Sequence, residues 1–459
     1  MIRRMAIVLV LIFSAQFLSC ISASAYTPFS DIRARSAMLV ERETGQVLFS
    51  HNEFLRHPAD GLTKIMTLLI AAQKVENDEI SDNELIMMTE TAWHDIGELS
   101  TTQEILPGEE MTFIDLMYSA YVGRANEACN MLALRIAGST ESFVRMMNDQ
   151  ATEIGLLNTR FENPHGQYHE NQYTTAHDMI LLYSEASKSQ LFAEISSTFR
   201  HITEGAGESE PRTLTSSNDL LNQNRVYYYR YCISGISSGT FEGGYSLIAT
   251  AEEDGLSLIA VVLGAEMITH EDESTNMRNF SETHRLFLWG YSQFAWRDIL
   301  RTTDLLARVP ILHGSGAEFV NARPVDSLTL LLSNSIPTDD FKKDVIIFSE
   351  ANDDPLIAPI SAGHVLGEVI ISLDGEVYAK ITLVANTDID LNGVEFMRRQ
   401  IVEMLSSNAA RNVVLVLIAL VLVYVALVVR YNIVRANRLR RIKNAKNDII
   451  RDRHQNFRE

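Results

Sequence analysis

Residues Pro58 to Thr67 read Pro-Ala-Asp-Gly-Leu-Thr-Lys-Ile-Met-Thr, a turn running into a helix with little polar surface. Leu62, Ile65, Met66, Leu69 and Ala72 recur at helical spacing, and Gly61 suits the turn that starts them. Between Asp60 and Lys74 the only charged side chain is Lys64. A helix this apolar belongs inside a domain, so the chain has to build a core around a lysine. Burying an unpaired ammonium is costly, and Lys64 therefore needs a partner or a task. One answer is an i,i+4 pair with Asp60. Another is an S-x-x-K catalytic helix, in which a serine three residues before the lysine shares its face. That position here is Gly61, which has no side chain.

The first 25 residues carry the pattern of a secretory signal. Arg3 and Arg4 precede a short apolar stretch from Ala6 to Phe13, and Ala23-Ser24-Ala25 forms a cleavage pattern, so the mature chain is expected to begin at Tyr26. A lipoprotein start at Cys20 fits the preceding Phe17-Leu18-Ser19 poorly. At 459 residues the chain holds two or three domains. Its formal charge of -20 argues against a nucleic-acid partner. Cleavage would leave Cys129 and Cys232, too few for a disulfide scaffold; their apolar surroundings suit buried thiols, with one bridge as the alternative. No zinc pattern, P-loop, G-x-G-x-x-G or G-x-S-x-G is present, and no cofactor or metal is expected.

Ser36 to Phe49 places two apolar runs around Glu43-Thr44-Gly45, a β-hairpin signal. From Phe113 to Ala133 two apolar helices break near Gly123, which offers Arg124 and Asn126 to a cleft; a plain helix–loop–helix with a solvated Arg124 is the simpler reading. Asn163-Pro164-His165-Gly166 marks a tight turn, with His165 a hydrogen-bonded turn residue, and Thr174 or Thr175 can cap the helix that follows. Ser246 to Ala251 and Leu256 to Leu263 read as strands joined at Glu253-Asp254-Gly255, with the Gly/Ser-rich stretch Cys232 to Thr240 as a sheet edge.

In this order, and from about Ala37 to Glu395, these segments resemble the serine-type D-alanyl-D-alanine carboxypeptidases, the low-molecular-mass penicillin-binding proteins of the S11 peptidase type. The resemblance implies an α/β (α+β) transpeptidase-like domain with an antiparallel sheet, then a small β-sandwich. It also implies a mechanism. The S-x-x-K serine attacks the D-Ala-D-Ala carbonyl and forms an acyl-enzyme while the lysine moves the proton. An S-x-N motif relays protons, and a K-T-G strand holds the terminal carboxylate. By resemblance Gly61 and Lys64 occupy the first motif, Arg124 and Asn126 the second, and Ser237, Ser238 and Gly239 the third. All three motifs depart from the pattern: the nucleophile is Gly61, the second serine is Arg124 and the third-motif lysine is Ser237. In another serine hydrolase, loss of the nucleophile alone costs on the order of 10⁶ in turnover.

Beyond Ile299 the pattern shifts to short apolar runs separated by turns such as His313 to Gly316 and Asp374-Gly375. The implied organisation is a signal at 1–25, the carboxypeptidase-like domain at 26–298, the β-sandwich at 299–395, a linker at 396–411, a membrane span at 412–430 and a basic tail at 431–459. Val413 to Val429 carries no charge, while Arg430, Arg435, Arg438, Arg440 and Arg441 follow it. The positive-inside rule then puts the tail in the cytoplasm and the globular domains outside. Two functions are compatible with these residues. One is a non-catalytic cell-envelope protein that binds peptidoglycan stem peptides or regulates a partner envelope protein. The other is a working D-Ala-D-Ala carboxypeptidase with an unrecognised nucleophile.

Overall fold

The computed structural model describes residues 29–98, 100–204, 210–240, 243–269, 275–406 and 408–455. The secretory signal read at 1–25 lies outside the described residues. The chain divides into two compact units, one running to Arg297 and including Leu330–Pro337, the other formed by Asp298–Thr329 and the chain from Thr338 onward.

The first unit is built on a five-stranded antiparallel sheet. Its strands are β1 (Ser36–Glu41), β2 (Val47–His51), β3 (Cys232–Thr240), β4 (Gly244–Glu253) and β5 (Leu256–Ala265), in the order β2-β1-β5-β4-β3. The period of two explains both layers that cover it. Ile259, Val261 and Leu263 of β5 enter one core with the helices α1 (Lys64–Glu76), α2 (Phe113–Tyr121), α3 (Asn126–Ala137), α4 (Thr140–Ile154), α5 (Ala176–Ala186) and α6 (Gln190–Ser197). Leu258, Ala260 and Val262 enter the other, against Phe280, Leu286 and Phe287 of α7 (Arg278–Gln293). Burial on both faces accounts for the nearly continuous apolar run of β5.

Helix α1 runs through the helical layer. A 3-10 turn, Asp60–Thr63, precedes it, and every residue from Lys64 to Ala72 is buried. Helices apolar all round are core helices, which is what the sequence required. The break between α2 and α3 falls at Val122 to Ala125, and Arg124 there adopts a φ of 56°. Thr175 caps α5, its hydroxyl accepting the Asp178 N–H at 3.1 Å. Cys129 and Cys232 are both buried free thiols.

The second unit carries a six-stranded sheet of β6 (Ala307–Leu312), β7 (Phe319–Pro324), β8 (Lys342–Ile347), β9 (Leu356–Ile357), β10 (Val365–Leu373) and β11 (Glu376–Ala385), in the order β8-β10-β11-β7-β6-β9. Residues expected as the end of the strand domain and a linker form helix α8 (Gly393–Ser406). Helix α9 (Asn408–Gln455) follows. Its stretch Arg411–Arg441 is long and apolar enough to cross a membrane.

Candidate active-site cleft

A cleft of about 260 Å³ opens in the first unit between the start of α1, the α2–α3 break and the edge strand β3. The fold brings Gly61, Lys64, Arg124, Asn126, Ser238 and Gly239 together there. The Asn163 to Gly166 turn closes one wall by pressing against the Asp60–Thr63 turn. Gly166 has φ +85°, and a Cβ on it would stand 1.8 Å from the Asp60 carbonyl oxygen, so only glycine fits.

Lys64 projects from the first turn of α1 and is 4% exposed. Its ammonium donates to Asn126 Oδ1 at 2.6 Å and to the His165 carbonyl. This is the partnering its burial demands, supplied by neutral acceptors rather than by a carboxylate. Burial pushes its pKa below the usual lysine range; Cys129 and Glu127 oppose the shift and Arg124 adds to it. Asn126 is fixed in turn by its own N–H, which donates to the Thr101 carbonyl at 3.0 Å.

Gly61 offers only a backbone N–H, which donates to Ser238 Oγ at 2.7 Å. Arg124 donates Nη2 to Thr101 Oγ1 at 3.1 Å. The remaining donors of its fork stay on a residue that lines the cleft. The cleft thus carries two basic residues, Lys64 and Arg124, with Asp60 also in its lining, where the family pattern sets a lysine beside a neutral serine.

Ser237 is placed differently. Its hydroxyl donates to the Ser246 carbonyl at 3.3 Å and accepts from Asn279 Nδ2 at 3.1 Å, and it does not line the cleft. His165 is a buried turn residue whose Nδ1 accepts the Gln167 N–H at 3.1 Å; burial, then the nearby Lys64 charge, lower its pKa to about 3. It is neutral at pH 7.

Sequence reasoning missed the rim. Gln167 Oε1 accepts from Gly97 N at 3.1 Å and Ser100 Oγ at 3.0 Å, clasping two loops together beside Tyr168. Glu127 is fully buried. Its Oε1 accepts the Gln103 N–H at 2.6 Å and so pins the Thr101 to Ile105 segment. Gln167 is one polar residue in a polar stretch, whereas Glu127 is a carboxylate in an apolar helix, a signal that could have marked it. Among the described residues no group of His, Cys, Asp and Glu is arranged to hold a metal ion.

A sheet with helices on both faces, and a lysine-bearing core helix opening beside its edge strand, form a penicillin-binding-protein-like fold. The comparisons narrow this to a family. The family model of D-alanyl-D-alanine carboxypeptidase matches residues 22–267, and that of the penicillin-binding protein 5 C-terminal domain matches residues 324–391. D-alanyl-D-alanine carboxypeptidase DacF of Bacillus subtilis (strain 168) is 29% identical over 370 residues, covering 80% of this chain and 88% of the relative. DacC of Escherichia coli (strain K12) is 28% identical over 372 residues, covering 79% and 86%. Penicillin binding protein 5 from Haemophilus influenzae superposes with a TM-score of 0.57 at 23% identity, covering 79% of this chain and 99% of that one. Penicillin binding protein 6B from Escherichia coli gives 0.58 at 23%, covering 78% and 98%. The chain belongs to the peptidase S11 D-alanyl-D-alanine carboxypeptidase family.

Proposed function

We propose that this chain is a non-catalytic member of its family, whose cleft binds the D-Ala-D-Ala end of peptidoglycan stem peptides without cleaving it. The observation that carries this reading is Gly61. No side-chain oxygen stands three residues before Lys64, and the Gly61 N–H is turned to Ser238 Oγ at 2.7 Å. An acyl-enzyme needs a nucleophile within hydrogen-bond reach of its base. Lys64 instead gives its hydrogen bonds to Asn126 and the His165 carbonyl.

Binding is supported by charge. Arg124 presents a planar fork suited to a terminal carboxylate, with Lys64 adding a second positive charge deeper in. The pattern's carboxylate-holding lysine is Ser237, whose hydroxyl bonds elsewhere, so the anion site shifts inward toward Arg124. Helix α9 anchors the chain in the cell membrane, with both globular units outside and the basic residues after Arg430 in the cytoplasm. A partner envelope protein would read the bound state.

The test is calorimetry of the full chain in detergent with a D-Ala-D-Ala-terminated peptide. Saturable binding without release of D-Ala is expected, weakened about tenfold by Arg124→Gln through the lost charged hydrogen bonds. Absence of heat at millimolar peptide overturns the binding claim, and release of D-Ala overturns the non-catalytic claim.

A further inference from the structure

A second concavity, of about 530 Å³, lies across the β3–β4 hairpin from the cleft. The segment leading into β1, the start of β4, the end of β5 and the first residue of α7 line it. Thr240, at the cleft, and Gly244, at the concavity, are register partners across the hairpin turn, so the two sites are neighbours.

Among the described residues, Arg33, Arg35 and Arg278 line this concavity against one carboxylate, Glu266. Among the described residues that line it, three positive charges less one negative leave a local charge of +2, in a chain whose formal charge is -20. A surface that acidic repels anions on average, so a cationic hollow is a departure from it. Among the described residues none of the three guanidiniums is held in an ion pair.

Arg35 is exposed, but its backbone is tied to β5 and its stem packs beside Gly264. Its N–H donates to the Leu263 carbonyl at 3.1 Å, and its methylene stem lies over Gly264. A Cβ on Gly264, which has φ +64°, would stand 3.0 Å from Arg35 Cδ. The glycine leaves room for the stem, and the packed stem presents the guanidinium with part of its rotamer freedom already spent. Arg278 opens α7, which has no side-chain cap at Met277, so the positive end of the helix adds to the field.

We infer that this concavity binds an oxyanion bearing two negative charges, a phosphate or a pair of carboxylates, through Arg33, Arg35 and Arg278. Guanidinium forks match the oxygen geometry of both. In an envelope protein such groups occur on phosphate-bearing polymers and headgroups and on the free carboxylates of wall peptides. A polymer gripped here is held beside the cleft, which makes the concavity a second handle on the wall. The inference does not depend on what the cleft binds.

The test is calorimetry of the full chain in detergent with two probes, inorganic phosphate and a stem tripeptide that lacks the D-Ala-D-Ala end. Saturable binding of at least one probe is expected. Arg35→Gln/Arg278→Gln weakens it about tenfold or more, through loss of charge-assisted hydrogen bonds. Arg33→Gln, at an exposed position, weakens it without touching the fold, and Lys343→Gln on the second unit leaves it unchanged. Binding of phosphate alone assigns the ligand to phosphate groups, and binding of the tripeptide assigns it to wall carboxylates. No saturable heat with either probe, or heat unaltered in both the double variant and Arg33→Gln, overturns the inference. The cleft peptide is a separate titration, so either site can fail alone.

Discussion

Restoring the missing hydroxyl with Gly61→Ser puts a side chain where Ser238 already stands. A Cβ at Gly61 would lie 2.7 Å from Ser238 Oγ, inside contact distance, so that hydroxyl must rotate away and give up the 2.7 Å hydrogen bond from the Gly61 N–H. The N–H remains at a cleft that water reaches, so it is not orphaned, and the loss is that of one ordinary hydrogen bond, about 1 kcal/mol. Gly61 lies outside the left-handed region, so serine meets no backbone strain. Replacing glycine also restricts the unfolded chain, which offsets about 0.4–1 kcal/mol and hides the clash in the single variant. A double-mutant cycle removes that term. In a Ser238→Ala background, Gly61→Ser should be less destabilising than in the wild type by about 1 kcal/mol. The assay is denaturant unfolding of the four proteins, followed by tryptophan fluorescence. A coupling of zero, or of opposite sign, would refute the claim that Ser238 sits on the Gly61 N–H.

Three further outcomes can be checked by the same unfolding measurement. Asn126→Ala takes away one of two acceptors for the buried Lys64 ammonium and should destabilise by about 3 kcal/mol, because the charge is left under-solvated; a change near zero would mean that Lys64 is neutral or reaches water. Burial, partly countered by the Gln103 N–H, raises the Glu127 pKa above 4.5. The native state then holds a proton that the unfolded state releases, so this group's stabilisation is full below 4.5 and is lost as pH rises through the folded pKa. Glu127→Gln should therefore gain on the wild type as pH increases from 4.5 toward neutrality, whereas parallel pH profiles would count against a raised pKa. Gly166→Ala combines a φ of +85° with a Cβ 1.8 Å from the Asp60 carbonyl. It should cost more than about 3 kcal/mol or prevent folding, and a well-folded variant would contradict the close approach of the two turns.

Much of the site was legible because local signals and tertiary roles coincide. The apolar run after Gly61 had to be a core helix, and its lone lysine had to be partnered. The break near Gly123 had to lie between two helices, and the glycines and serines of β3 marked a sheet edge. What stayed hidden lacks a side-chain signature or depends on distant segments. The His165 carbonyl that holds Lys64 is a backbone atom 101 residues away in sequence, so no pattern announces it. Asn279 reaches Ser237 from α7 across 42 residues. The turn of Ser237 away from the cleft therefore could not be read from the Ser-Ser-Gly motif. The helix at Gly393–Ser406 was read as strand end and linker, although Val394, Met397, Ile401 and Met404 recur at helical spacing. That stretch mixes charges with apolar residues and leaves Val394, Met397 and Ile401 exposed, so its pattern lacks the burial that would mark a core helix.

The central claim is that no activated nucleophile stands before Lys64, and a β-lactam reports on that directly because it acylates only such a group. The measurement is the intact mass of the full chain, in detergent, after incubation with fluorescent penicillin. The account predicts an unchanged mass and no fluorescent band. A stoichiometric adduct would contradict it, and peptide mapping of that adduct would name the nucleophile.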